Sequence, residues 1–133
     1  MPPTHLVDTD CVIHYFHQIP SVTKRIIGLG PSGIAVSIIS VAELWEGVLF
    51  SDDLEGDQQE LESFLAVVTV VGIDPHICRR FGALRGTLRR QRKPIADFDI
   101  MIAATALEYD LTLLSNNRRH FEYFPGLRLE SIL

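Results

Sequence analysis

Cysteine is scarce in this chain: two thiols, Cys11 and Cys78, among 133 residues. They lie far apart in apolar sequence and read as buried free thiols, which argues against a disulfide-stapled scaffold and against a cysteine metal cage. No apolar run approaches the ~20 residues of a membrane span. The start, Met1-Pro-Pro-Thr-His5, lacks the basic and apolar parts of a signal peptide, so a cytoplasmic location and no membrane partner are expected. Positive charge is not in excess either. Twelve Lys and Arg stand against 17 Asp and Glu, a net charge of −5, which argues against a generic polyanion binder. The five histidines show no metal-ligand spacing; His14 and His17 share a helix face without further support. Repeats, low-complexity segments and linkers are also missing, so residues 1–133 read as one domain.

What is present is unevenly distributed. Asp52, Asp53, Glu55, Asp57, Glu60 and Glu62 follow one another with no basic residue among them. Arg79, Arg80, Arg85, Arg89, Arg90, Arg92 and Lys93 do the same without an acidic one. The protein is polarised.

Short apolar runs alternate with helical patterns. Strands are expected at 5–8, 34–37, 67–71, 111–114 and 127–130. Helices are expected after Asp8 through Phe16, from Pro20 towards Gly28, over 37–50, over 75–92 and over 99–109, with a helical turn at 116–121. The acidic stretch reads as a loop leading into a short helix at 61–65. Val41, Leu44, Trp45 and Val48 form one apolar side. Ile77, Phe81, Leu84 and Leu88 form another, and Pro94 ends that helix. Short apolar strands alternating with helices indicate a three-layer α/β/α domain whose parallel sheet is covered on both faces. Such sheets bind ligands outside the carboxyl ends of their strands.

Four oxygen-bearing side chains are expected there: Asp8 after the first strand, Glu43 in the helix after the second, Asp99 in the helix before the fourth, and Asn117 just after the fourth. Each has a plain structural reading. Asp8 can cap the helix that follows it. Ser40-x-x-Glu43 matches a capping box. Asp97 is the better cap of the Asp97–Asp99 pair, and Asn117 can cap its own turn. Taken jointly, three converging carboxylates repel one another and call for a countercharge. An all-oxygen set suits Mg²⁺ or Mn²⁺ better than zinc. Such an ion neutralises a phosphate and activates a water, which points to phosphodiester or phosphoryl chemistry.

Several stretches carry a family resemblance over nearly the whole chain. They are Leu6-Val-Asp-Thr-Asp10, Ser37-Ile-Ile-Ser-Val-Ala-Glu-Leu44 and Leu84-Arg-Gly-Thr-Leu-Arg-Arg-Gln-Arg-Lys-Pro-Ile95. Asp97-Phe-Asp99 with Ile102-Ala-Ala-Thr-Ala-Leu107 continues the series, and Leu113-Leu-Ser-Asn-Asn117 with Phe121 and Pro125-Gly-Leu127 closes it. The chain resembles the PIN-domain ribonucleases and, within them, the VapC-type toxins of toxin–antitoxin pairs. The resemblance implies a Mg²⁺- or Mn²⁺-dependent endoribonuclease with Asp8, Glu43 and Asp99 at the acidic ligand positions. Asn117 falls where relatives carry Asp or Asn; its oxygen adds no charge, so a second ion would be held weakly. Asp10, Asp97 and Ser115 are accessory candidates. A homodimer and a small VapB-like antitoxin that blocks the site are also implied.

In this reading Asp8 and Asp99 bind the ion directly, and Glu43 acts through water or helps deprotonate the attacking one. Arg85, Arg89, Arg92 and Lys93 form a basic arc beside the apolar stripe, and Arg118 and Arg119 extend it. That arc is either a solvated flank or a track for RNA phosphates. Two alternatives compete. Asp8-Thr-Asp10 resembles the nucleophile motif of a haloacid-dehalogenase-like phosphatase, although the chain ends before the lysine and later acidic pair such enzymes need. A non-catalytic binding module would have little use for the acid set.

Overall fold

The computed structural model describes residues 2–133. Its strands are β1 (His5–Val7), β2 (Ile34–Ser37), β3 (Thr69–Val71), β4 (Thr112–Leu114) and β5 (Leu129–Glu130). They form one sheet in the order β3-β2-β1-β4-β5, parallel throughout. Adjacent residues on a strand face opposite sides of the sheet. Val7, Ile34, Val36 and Leu114 enter one core, and Leu6, Ala35 and Leu113 enter the other.

Helices α1 (Thr9–Phe16), α2 (Pro20–Leu29), α3 (Ile38–Leu49) and α4 (Leu54–Leu65) close the first core through Cys11, Val12, Val22, Ile26, Leu44, Val48, Leu61 and Phe64. Helices α5 (Pro75–Arg90), α6 (Asp97–Glu108) and α7 (Arg118–Phe121) close the second. Helix α6 is apolar nearly all round, with Ile100, Ile102, Ala103, Ala104 and Ala106 all buried. A helix apolar nearly all round is buried on most sides, and here α6 packs against both the sheet and α5. The expected α/β/α layering is therefore the architecture found.

Four local expectations need correction. The acidic stretch is not a loop. Asp53 caps it through Gly56 N, and the helix runs from Leu54, anchored by only two buried side chains, Leu61 and Phe64. With Leu61, Phe64 and Leu65 as its inward anchors, all in the last two turns, its apolar periodicity is too sparse to read as a full helix. Cys78 is exposed, because it lies one residue and about 100° round from the buried Ile77. The third strand begins at Thr69, since Val67 and Val68 still belong to the turn after α4.

The basic helix stops at Arg90, short of Arg92. Lys93 N donates to Leu88 O (3.0 Å) and Arg92 N to Arg89 O (3.1 Å), with Arg92 left-handed at φ 55°. That is a Schellman closure, with arginine where glycine is usual.

The topology fixes where a ligand binds. The chain steps from β1 to β2 to β3 in one direction and then crosses over to place β4 on the other side of β1. At that reversal the connections leave β1 and β4 in opposite directions and open a crevice beyond their carboxyl ends. Asp8 follows β1 there, and Ser115 and Asn117 follow β4.

Candidate active site

Asp8 is 5% exposed and serves as the N-cap of α1. Its Oδ1 accepts from Thr9 N at 2.8 Å and its Oδ2 from Ser115 Oγ, also at 2.8 Å. Ser115 is fully buried, and its Oγ in turn accepts from Asn117 N at 3.0 Å. The capping reading of Asp8 is thus correct but incomplete, because one carboxylate oxygen is committed across the crevice to the β4 side.

Glu43 is held differently from the way a capping box would hold it. Ser37 at the end of β2 caps α3 through Ile39 N (3.0 Å), so Ser40 lies inside the helix. Thr9 Oγ1 stands 2.7 Å from Glu43 Oε1 and 2.8 Å from Ser40 Oγ. With one proton to give, Thr9 donates to the carboxylate and accepts from the serine. Glu43 is therefore tied to the residue next to Asp8.

Neither aspartate at the start of α6 caps it by a side-chain bond. The N-cap is Ala96, and both carboxylates lie in the first turn, where the helix dipole favours them. Asp97, 61% exposed at its side chain, pairs with Arg85 instead. Asp99 Oδ2 accepts from His120 Nδ1 at 2.6 Å. The Asn117 amide lies 2.8 Å from the same imidazole nitrogen, and Asn117 holds the N-cap position of α7 without a side-chain capping bond.

The contacts form one connected path: Glu43, Thr9, Asp8, Ser115, Asn117, His120, Asp99. Four segments remote in sequence meet along it. Sequence reasoning missed two members. Thr9 was visible as the hydroxyl between Asp8 and Asp10. His120 was visible at three residues from Asn117, the spacing that puts two side chains on one helical face.

The electrostatics are strained. Burial, with the neighbouring Asp10 charge second, pushes the Asp8 carboxyl up from 3.8 to about 7. Asp10 Oδ1 is buried with no hydrogen-bond partner. Among the described residues no Lys or Arg forms an ion pair with either carboxylate. Buried carboxylates without a countercharge are costly.

A bound cation could supply the missing countercharge. Among the described residues no three Asp, Glu, His or Cys side chains close a ready-made metal cage. An ion bound here would rest on one or two of these carboxylates and keep several waters of its own.

The basic arc is only partly as expected. Arg85, Arg89 and Lys93 line one shallow cavity next to the start of α6. Arg85 is already paired with Asp97, Lys93 Nζ lies 4.0 Å from the centre of the Tyr123 ring, and Arg118 Nη1 reaches Ser131 Oγ at 3.2 Å. Arg92 and Lys93 sit beyond the helix end, so the four do not share one helical face. No helix of the described residues is long and apolar enough to cross a membrane.

Comparison with known proteins bears on this site. Residues 5–126 match the PIN domain family. The chain is 34% identical over 127 residues to Ribonuclease VapC2 of Haemophilus influenzae, covering 96% of each chain. It is 30% identical over 125 residues to the tRNA(fMet)-specific endonuclease VapC of Shigella flexneri, covering 94% of this chain and 95% of that one. Its fold superposes on the crystal structure of DNA-bound VapBC from Salmonella typhimurium with a TM-score of 0.90 at 28% identity, covering 98% and 99% of the two chains. A match of that length overturns the dehalogenase-like alternative.

Proposed function

The chain belongs to the PIN-domain family and, within it, to the VapC ribonucleases, and we propose that it is the RNA-cleaving toxin of a VapBC pair, working with Mg²⁺ or Mn²⁺. One observation carries this reading: the continuous hydrogen-bonded path that joins Glu43, Asp8, Asn117 and Asp99 beyond the carboxyl ends of β1 and β4. The unpartnered Asp10 oxygen and the raised Asp8 carboxyl support a cation there.

Asp8 and Asp99 are the residues we assign to hold the ion. When bound, it supplies charge against a phosphate and makes a water more acidic. Thr9 fixes Glu43 Oε1 and leaves Oε2 to take a proton from the attacking water. Ser115 holds Asp8 at Oδ2, and its own lone pair is engaged by Asn117 N, so the Asp8 carboxylate cannot swing. Asn117 offers a neutral oxygen, and Asp10 adds negative charge without a fixed partner. Arg85, Arg89 and Lys93 lie directly ahead of Asp97 and Asp99 in the chain, a position suited to phosphates on either side of the scissile bond.

For the antitoxin, a groove lined by Ile13, Phe16, Leu44, Gly47 and Val48 opens beside Glu43. A peptide seated there would cover the acidic site. The homodimer belongs to the same reading, and light scattering on the purified chain measures it.

One assay tests the whole: cleavage of structured RNA with Mg²⁺, with EDTA, and by Asp8→Asn. Cleavage only in the first case is expected. Equal cleavage in EDTA removes the metal from the reading, and RNA binding without cleavage in Mg²⁺ leaves a binding module.

A further inference from the structure

Each carboxylate of the path has a dedicated donor. Asp8 has Thr9 N and Ser115 Oγ, and Glu43 has Thr9 Oγ1. For Asp99, the one side-chain donor among the described residues is His120 Nδ1, at 2.6 Å from Oδ2. An ionised carboxylate only accepts, so Nδ1 carries the proton that this contact uses. A protonated Nδ1 has no lone pair left for an amide N–H. The Asn117 amide, 2.8 Å away, therefore meets the ring with its oxygen turned in, which keeps Nδ1–H aimed between two oxygens.

His120 owes this position to its neighbours rather than to its own burial. Phe121, 1% exposed, anchors α7 in the second core, and His120 N donates to Asn117 O at 3.2 Å to close the turn. The imidazole itself is 46% exposed, so packing does not explain its orientation. Asp99 does.

We infer that His120 is a positioning residue for Asp99: its Nδ1–H fixes Oδ2 and leaves Oδ1 turned to the cation. The inference rests on the metal reading above. Donors to ligating carboxylates and imidazoles orient them, and their loss typically lowers metal affinity ~10–100-fold.

The side chain permits a discriminating test. Asn places its Nδ2 the same number of bonds from Cα as His Nδ1, whereas Gln places its Nε2 where His Nε2 lies. Mn²⁺ titration of the full chain, with free Mn²⁺ read by electron paramagnetic resonance, separates them. His120→Gln and His120→Ala are expected to bind Mn²⁺ roughly tenfold more weakly or worse, and His120→Asn within about threefold of the parent. The metal-free melting temperatures should agree, since the ring is half exposed. Asn and Gln variants of equal affinity overturn the inference, and so does tighter binding by His120→Ala, which would make the imidazole a competitor of the cation. A parent chain that binds no Mn²⁺ sinks the metal reading itself, a result distinct from either.

Discussion

Removing the Asp8 charge should stabilise the metal-free protein, and only above acidic pH. The folded carboxyl titrates at about 7 and the unfolded one at 3.8. Below 3.8 it is protonated in both states and costs nothing. As pH rises from there towards 7, the unfolded chain releases the proton while the folded chain keeps it, so stability falls. Above 7 both are ionised and the loss levels off. A shift of about 3 pKa units corresponds to about 4 kcal/mol at the plateau, and about 2 kcal/mol of it is already lost at about pH 5. The cause is burial first and the Asp10 charge second.

Asp8→Asn keeps the parts of this residue that hold structure. Asparagine caps helices as well as aspartate does, and its oxygen still accepts from Thr9 N or Ser115 Oγ. Urea unfolding in EDTA at several pH values, parent against variant, isolates the titration, because groups common to both chains cancel. The variant's advantage should grow by about 2.5–3 kcal/mol between about pH 5 and pH 8, or about 10 °C in melting temperature for a chain of this size. Mn²⁺ at about 100 times its dissociation constant should return about 2.7 kcal/mol to the parent and far less to the variant. Parallel stability curves for the two chains across this range would refute the argument that the site is short of positive charge.

Other changes test separate features. Arg85→Glu with Arg89→Glu should weaken RNA binding and reduce its salt slope by about 1.4–1.8, about 0.7 to 0.9 for each lost phosphate contact; unchanged affinity across a salt titration rejects the basic track. Arg92→Gly should stabilise the fold by about 0.5–1 kcal/mol, because the left-handed φ of 55° costs arginine and not glycine, and a drop in denaturant midpoint would contradict the Schellman closure. A thiol reagent such as Ellman's should modify Cys78 alone in the native chain, since Cys11 is buried with its thiol pushed up to about 12; two fast-reacting thiols would contradict that burial.

The architecture was legible because its cause is periodic. Strand pairs such as Leu6 and Val7, or Leu113 and Leu114, are apolar at every position because each face of the sheet is covered. Legibility failed where one residue departs from a local rule. Arg92 occupies a position that glycine usually marks, so the end of α5 carried no stop signal before Pro94. Helix α4 begins in a run of acids, and its start was readable from Asp53 as a cap and Glu55 and Asp57 in the first turn more than from any apolar pattern. Cys78 was misread because apolar neighbours in sequence say nothing about which side of a helix a residue occupies.

The acids of the site were visible as residue types, and what joins them was not. Ser40-x-x-Glu43 and Asp97 both satisfied capping rules on paper, yet Ser37 and Ala96 hold those positions. Once Ser37 caps α3, Ser40 and Glu43 are free to meet Thr9, and once Ala96 opens α6, Asp99 is free to meet His120. A carboxylate relieved of capping by its neighbours needs another reason to stay near buried partners. Asp8 sharpens the point, because it does cap α1 and still keeps its second oxygen on Ser115 across the reversal between β1 and β4. A cap alone uses one oxygen. The other is held against a fully buried serine at a carboxyl value raised by burial and by Asp10, which is the state that a positive charge brought from outside the chain would relieve.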